Sequence, residues 1–235
     1  MLGLGNSLAI SQPPSTTPSF SNNYSLSFDG TEDYVAVPNS SDFDFGTGDF
    51  CWSFWVNYTT HTNYVGLFST GYTNSEYRLK FHTSGQILHL QNADGDSQVA
   101  DLGTNIAGDG WHHLLLNRVS GTIYTYLDGS QVDSDVRAGN VNSNGKVIQI
   151  AANTANFTLT GNLDEIALWK GTSLSSGQIA TVYNSGVPAD LSGESGLIAY
   201  WRFEEGTGTS AADSSENSNT GTLINGTAWD TDVPS

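Results

Sequence analysis

The sequence has almost no cysteine: Cys51 is the single one in 235 residues. One thiol cannot close an internal disulfide, which excludes a stapled mini-domain, a cysteine zinc site and a CxxC redox centre. Cationic side chains are nearly as scarce. Seven Lys and Arg stand against 24 Asp and Glu, for a formal net charge of −17. Such a surface repels phosphate backbones and anionic headgroups, so neither nucleic acid nor a membrane is expected as a partner. No apolar run reaches the roughly 18 residues that a membrane-crossing helix needs. The opening stretch MLGLGNSLAISQPPS has no basic region followed by a long apolar one, so export by the usual secretory signal is not expected.

Charged residues make up only 13% of the chain, and the common helix formers are few. Polarity comes instead from Ser, Thr, Asn and 26 Gly, while aromatics reach 11% with 6 Trp and 10 Tyr. Many aromatics, many turn formers and little charge predict an all-β protein.

The order of residues agrees. Residues 1–20 hold Pro13, Pro14 and Pro18 and begin on Met1, Leu2, Leu4, Leu8 and Ile10. They read as an extended arm or a loose tail, ahead of a single domain over 21–235. Short alternating runs then recur at 24–28, 34–37, 50–58, 64–68, 76–82, 87–91, 111–119, 122–127, 131–133, 147–151, 163–169 and 197–203, separated by turn residues. In the 50–58 run, Phe50, Trp52, Phe54 and Val56 share one face and Cys51, Ser53, Trp55 and Asn57 the other. That is a central strand covered on both sides, or a strand with one exposed Trp. Asp128-Gly129 has the chemistry of a two-residue hairpin turn, because both central positions of a type I′ turn need positive φ. Leu174-Ser-Ser-Gly-Gln-Ile179 predicts the one helix: Ser175 caps it, Gln178 reaches back, and Leu174 and Ile179 take the staple positions. Strands at this spacing predict a two-sheet antiparallel β-sandwich or jelly roll. Trp52, Phe54, Trp111, Leu127, Ile166, Leu168 and Trp201 are its expected core.

Four segments carry a family resemblance: SLSFDGTEDYVAVPN at 25–39, GWHHLLLNRVSGTIYTYLDGS at 110–130, GNLDEIALWK at 161–170 with the helix after it, and GLIAYWRFEEGTGTSAADSSENSNTGTLI at 196–224. Together they resemble the concanavalin A-like sandwiches of the laminin-G/pentraxin group, in its phage and bacterial branch. The resemblance implies two antiparallel sheets in a jelly roll. In many relatives the GLxAYWxFxEG segment precedes the FDGxxDYV segment, whereas here it comes last, at 196–206. It is expected either to fill the same slot by circular permutation or to pair with a neighbouring subunit.

The loop Asp213-Ser-Ser-Glu-Asn-Ser-Asn219 packs oxygen donors of the kind calcium prefers. By position, the resemblance implies Asp29, Asp164, Asp213 and Asn219 as candidates for a structural calcium. The alternative is an Asx-rich turn with solvated carboxylates. In Trp111-His112-His113, neighbouring histidines on a strand point to opposite faces and do not share a metal easily. Aromatic loops around 59–65 and 71–78 offer His61, Tyr64, Tyr72 and Tyr77 as a glycan platform, with ordinary loop packing as the alternative. No carboxylate pair, GxSxG or Cys–His arrangement points to catalysis: Asp164-Glu165 and Glu204-Glu205 are immediate neighbours that face apart, and Asp133 and Asp135 follow a hairpin. Sequons at Asn23, Asn57, Asn156 and Asn225 arise readily in an Asn- and Thr-rich chain.

The expected protein is therefore non-catalytic: a subunit of a bacteriophage capsid decoration, head fibre or tail fibre, on the virion exterior, with a lectin-like domain. Leu2, Leu4, Leu8 and Ile10 of its arm would mediate assembly with other virion proteins or into a homo-oligomer, a trimer by analogy with fibres, and cell-surface glycans are a further expected partner. The alternative is a carbohydrate-binding module of a secreted bacterial adhesin or polysaccharide-degrading enzyme, working extracellularly.

Overall fold

The computed structural model describes residues 20–59, 64–70, 77–92, 94–152 and 158–235. Leu2, Leu4, Leu8 and Ile10 lie outside the described residues, as do His61 and Tyr72. The chain forms β1 (Ser25–Asp29), β2 (Tyr34–Val37), β3 (Phe50–Tyr58), β4 (Val65–Ser69), β5 (Arg78–Phe81), β6 (Ile87–Asn92), β7 (Gly95–Asp101) and β8 (His112–Val119). It continues through β9 (Thr122–Leu127), β10 (Ser130–Val136), β11 (Ile148–Ile150), β12 (Thr160–Lys170) and the helix α1 (Ser176–Tyr183). β13 (Leu197–Trp201), β14 (Ser210–Ala211), β15 (Gly221–Ile224) and β16 (Ala228–Asp230) close it.

The strands make two antiparallel sheets. The first runs β10-β9-β8-β3-β12-β1-β16, with β13 also paired to β12, and the second runs β14-β15-β2-β11-β4-β5-β6-β7. This is the jelly-roll sandwich that strand spacing predicts. Trp52, Phe54, Leu127, Ile166, Leu168 and Trp201 are buried between the sheets. Burying a large apolar side chain contributes roughly 1.5–3 kcal/mol, so this layer dominates the stability of the fold. Trp111 is the exception: it is half-buried, sits just before β8, and its indole N–H donates to Asp232 Oδ1 at 3.2 Å. It belongs to the rim because the strand starts only at His112.

The alternation in β3 resolves in favour of cover on both sides. Phe50, Trp52, Phe54 and Val56 face the inter-sheet core. On the other face Cys51 joins a second apolar cluster with Leu115, Trp169, Leu174, Ile179 and Val182, and Trp55 stacks on Tyr183 with centroids 6.1 Å apart. The helix that supplies this cover starts where its sequence says. Ser175 accepts from the Gln178 N–H, Gln178 Oε1 accepts from the Ser175 N–H at 3.0 Å, and Asn184 ends the helix in the left-handed region. Asp128 and Gly129 both take positive φ, 49° and 74°, turning β9 into β10.

The displaced segment packs in its own sandwich. β1 pairs with the first part of β12, through Leu26↔Leu163 and Phe28↔Gly161. β13 pairs with the second part, through Ile166↔Trp201 and Leu168↔Ala199. A bulge between Asp164 and Ala167, with Glu165 at φ 46°, marks the junction.

Candidate functional site

The two sheets differ on their outer faces. In β5, Leu79 and Phe81 enter the core, so Arg78 and Lys80 project outward, and His82 continues that row. In β6, Leu88 and Leu90 enter the core and His89 projects outward opposite Lys80. Tyr64, just before β4, lies over this patch. Its ring meets His82 edge-on at 5.2 Å and His89 at 5.6 Å, and the two imidazoles stack on each other at 5.3 Å. The Lys80 ammonium sits 4.3 Å from the Tyr64 ring centroid and is itself buried. The patch therefore offers an aromatic ring flanked by hydrogen-bonding imidazoles. A pyranose or furanose asks for this combination: C–H faces on a ring, hydroxyls on polar neighbours.

Of the expected glycan residues, Tyr64 is in this patch and Tyr77 is not. Tyr77 is fully buried between Trp52, Phe68 and Phe45, with centroids 5.5 to 5.9 Å away. Its ring cannot meet a sugar, and burial pushes its phenol well above the ordinary range. The sequence held the sign of this: Tyr77, Leu79 and Phe81 alternate onto one face. The same alternation, in the strand expected over 76–82, places Arg78, Lys80 and His82 on the other face, whereas only the aromatics at its start were weighed as ligand contacts.

The calcium candidates divide. Asp213 and Asn219 meet, the Asn219 N–H donating to Asp213 Oδ2 at 2.7 Å. Asp213 also accepts from Tyr200 N at 2.8 Å, Ser215 N at 2.8 Å and Ser215 Oγ at 2.8 Å. Its lone pairs thus already fold the loop, whose Asn219 carbonyl accepts from the Trp201 indole at 2.8 Å. Asp29 stands apart, opposite Thr160 in the ladder, and accepts from Thr31 N in an Asx turn. Asp164 is buried in the β12 bulge. Among the described residues no group of three or more His, Cys, Asp or Glu is placed to hold a metal. As they stand, the four residues do not fit one shared ion.

Around Asp164 the root of the N-terminal arm meets the displaced segment. Asn22 Nδ2 donates to Asp164 Oδ2 at 3.0 Å. Glu204 accepts from the backbone N–H groups of Asn23 and Tyr24 at 2.8 and 2.9 Å. Arg202 donates to the Ser21 carbonyl at 2.7 Å and lies over the Phe20 ring. Glu165, beside Asp164, accepts from the Tyr200 hydroxyl and lies 3.5 Å from Arg202 Nε. Burial pushes the Glu165 carboxyl up to about 8 despite these partners, and burial with the Glu165 charge raises Asp164 as well.

The histidine pair splits as the strand geometry requires. His112 Nδ1 lies 2.8 Å from Asp128 Oδ2 at the rim, and that bond raises its pKa. His113 is buried under the helix with Nε2 2.8 Å from Ser53 Oγ, and burial lowers it to about 4. Ser53 is 1% exposed, so this Ser–His contact is structural.

A family model described as the concanavalin A-like lectin/glucanases superfamily, Laminin_G_3, matches residues 29–180. No curated protein sequence matches. Among solved structures, a candidate carbohydrate-binding protein from Bacteroides ovatus superposes with a TM-score of 0.70 at 15% identity, over 92% of this chain. The match spans 62% of the length of that protein. The heptameric SAP-like pentraxin of Limulus polyphemus gives a TM-score of 0.55 at 16% identity, covering 69% of this chain and 82% of the pentraxin. Domain 4 of an extracellular arabinanase from Geobacillus stearothermophilus, solved with arabinotriose, gives 0.50 at 17% identity, covering 66% of this chain and 74% of that one.

Proposed function

We propose, from the premise that the chain belongs to the Laminin_G_3 family of concanavalin A-like lectin/glucanases, that it is a non-catalytic glycan-binding domain. The observation that carries this reading is the Tyr64 ring set among His82 and His89 on the outward side of the second sheet. The likeness to a candidate carbohydrate-binding protein and to an arabinanase domain solved with a trisaccharide supports it. A glycan array probed with the whole chain tests it. Binding that disappears in Tyr64→Ala, with the melt retained, supports the reading. A silent array, or binding indifferent to Tyr64, overturns it.

Two settings suit such a domain. One is the exterior of a bacteriophage particle, with residues 1–20 joining it to other virion proteins or to further copies of itself. The anchorage of residues 21–24 on Glu204, Asp164 and Arg202 supports this setting, because it gives the arm a fixed point of departure. Mass spectrometry of purified particles decides it, and absence from virions removes it. The other is a module of a secreted adhesin or polysaccharide-degrading enzyme, favoured by the arabinanase domain.

A further inference from the structure

The net charge of −17 is spread unevenly along the chain. From Gly171 to Ala189, the layer packed outside the first sheet, the sequence reads GTSLSSGQIATVYNSGVPA without one charged side chain. Lys170 and Asp190 bound it. The β9–β10 hairpin extends this uncharged face. Ile123 and Leu127 enter the core, so Thr122, Tyr124 and Tyr126 project outward, and Val136, Ser134 and Gln131 stand opposite them on β10. The carboxylates of β10 take the other side. Asp133 and Asp135 pair with Thr125 and Ile123, and Asp133 accepts from the Asp101 N–H of the second sheet at 2.8 Å. Helix and hairpin form one continuous surface: Tyr183 lies so close on Gly129 that a Cβ there would run into its ring, and Tyr126 packs on the cluster that holds Val182.

Exposed apolar side chains gather on the same side. Among the described residues the large exposed hydrophobics are Val132, Val136, Val147 and Val187, and all but Val147 belong to this hairpin or to the layer over the first sheet. Val136 is 73% exposed. We propose that this helix-and-hairpin face is where two copies of the chain meet, across a two-fold axis. Copies that each carry −17 repel wherever carboxylates face one another, so the surface on which they can approach is the one that carries none. A basic partner is drawn instead to the acidic remainder of the molecule. The size suits a second copy: about 20 exposed or half-buried residues line the face, close to the roughly 20–30 a side of a standard interface. The make-up suits it as well. Tyr124, Tyr126 and Tyr183 are partly exposed rings that a partner can cover, the centre is uncharged, and Lys170, Asp190 and Asp128 stand at the edges. A two-fold contact sets this patch against its own copy and closes after one partner. The Tyr64 patch lies outside the other sheet, so pairing leaves it free and is independent of what binds there.

The test is sedimentation velocity of the whole chain over about 1 to 100 μM. The expected result is a concentration-dependent dimer that tightens as salt rises, because salt screens the repulsion left between the two acidic copies. Gln178→Glu keeps the capping box and adds a carboxylate on α1. Ser134→Glu adds one at an exposed position on β10. Each new charge occurs twice in the dimer, and each should weaken it at least about tenfold with an unchanged melt. Val147→Glu, beside the second sheet, and Tyr64→Ala should leave the dimer as it is in the wild type. A monomer at every concentration overturns the inference. So does a dimer indifferent to both added carboxylates, whose contact would lie elsewhere on the chain. A dimer that loosens as salt rises overturns it too, since ion pairs would then be what holds the copies together.

Discussion

The two sheets of this sandwich share an inner face and differ in what lies outside. Beyond the first sheet, α1 and its neighbours cover Cys51, Leu115, Trp169 and Trp55, so even polar groups there, Ser53 and His113, are sealed from water. Beyond the second, Arg78, His82 and His89 remain partly exposed, the two histidines beside Tyr64. Both faces come from the same alternation of residues, yet one became a second core and the other a surface that a ligand can reach. An aromatic outside a sheet is therefore structural or functional according to what covers it. The sharpest way to break this comparison is Trp55→Ala. Trp55 is 4% exposed and stacked on Tyr183, so its truncation should cost about 3–5 kcal/mol, as for a core aromatic. A denaturant melt checks this, and a loss under about 1 kcal/mol would mean that the helix is a loose cover.

Next in size is a pH effect confined to the covered face. His113 titrates near 4 in the fold against 6.5 when exposed. The folded state thus binds fewer protons than the unfolded one between those values. Its stability is intact above pH 6.5 and falls as pH drops toward 4, by up to about 3 kcal/mol. Glu165 acts in the opposite sense. Its carboxyl is raised from 4.5 to about 8, so its contribution is fully present below 4.5 and is lost as pH rises through 8. Between pH 4.5 and 6.5 the two slopes oppose each other, so stability should stay nearly level there and fall as pH rises from 6.5 to 8. Glu165→Gln, which keeps an acceptor for Tyr200, should reduce that alkaline fall and uncover the acid fall that belongs to His113.

Much of this architecture was legible from local chemistry. The β3 alternation, the Asp128-Gly129 turn and the Ser175–Gln178 cap are each decided within a few residues, and all three are in the structure. β7, β14, β15 and β16 were not read as strands. They are short or rich in Gly, Ser, Thr and Asp, so propensity does not mark them: β15 and β16 are held by β2 and β1, far along the chain, and β7 and β14 by their sequence neighbours β6 and β15. The site was half legible. Tyr64 stood out as an aromatic in a polar stretch, but His82 and His89 come together only when β5 pairs with β6. Tyr77 misled because it follows a loop-like run while its parity already belonged to the core. The Asp164–Glu204–Asn22 meeting depends on β1 and β13 sharing one flank of β12, which no local pattern encodes.

A smaller effect separates loop folding from metal binding at Asp213. Asp213→Asn turns an acceptor into a donor facing the N–H groups of Asn219 or of Tyr200 and Ser215, and should cost about 1–3 kcal/mol. Because those oxygens are already occupied, chelator and added calcium should both leave the wild-type melt where it is. A melt that falls in chelator and recovers with calcium would instead restore a shared ion at this loop.

The smallest expected effect on stability is the one that sharpens the comparison most. Tyr64 lies on the outward face, and its contacts there include two imidazole rings and the Lys80 ammonium, the last worth roughly 0.5–1 kcal/mol where partly exposed. It fills no part of the core between the sheets. Tyr64→Ala should therefore lower stability by only about 0.5–1 kcal/mol, a small fraction of the Trp55→Ala loss, while abolishing saccharide binding. Measured side by side in one buffer, the two truncations ask whether the two outer faces do different work. If Tyr64→Ala costs as much as Trp55→Ala, the ring is packing like any other. The open face would then be a third layer of core whose cover is missing from view, and the glycan reading would lose its anchor.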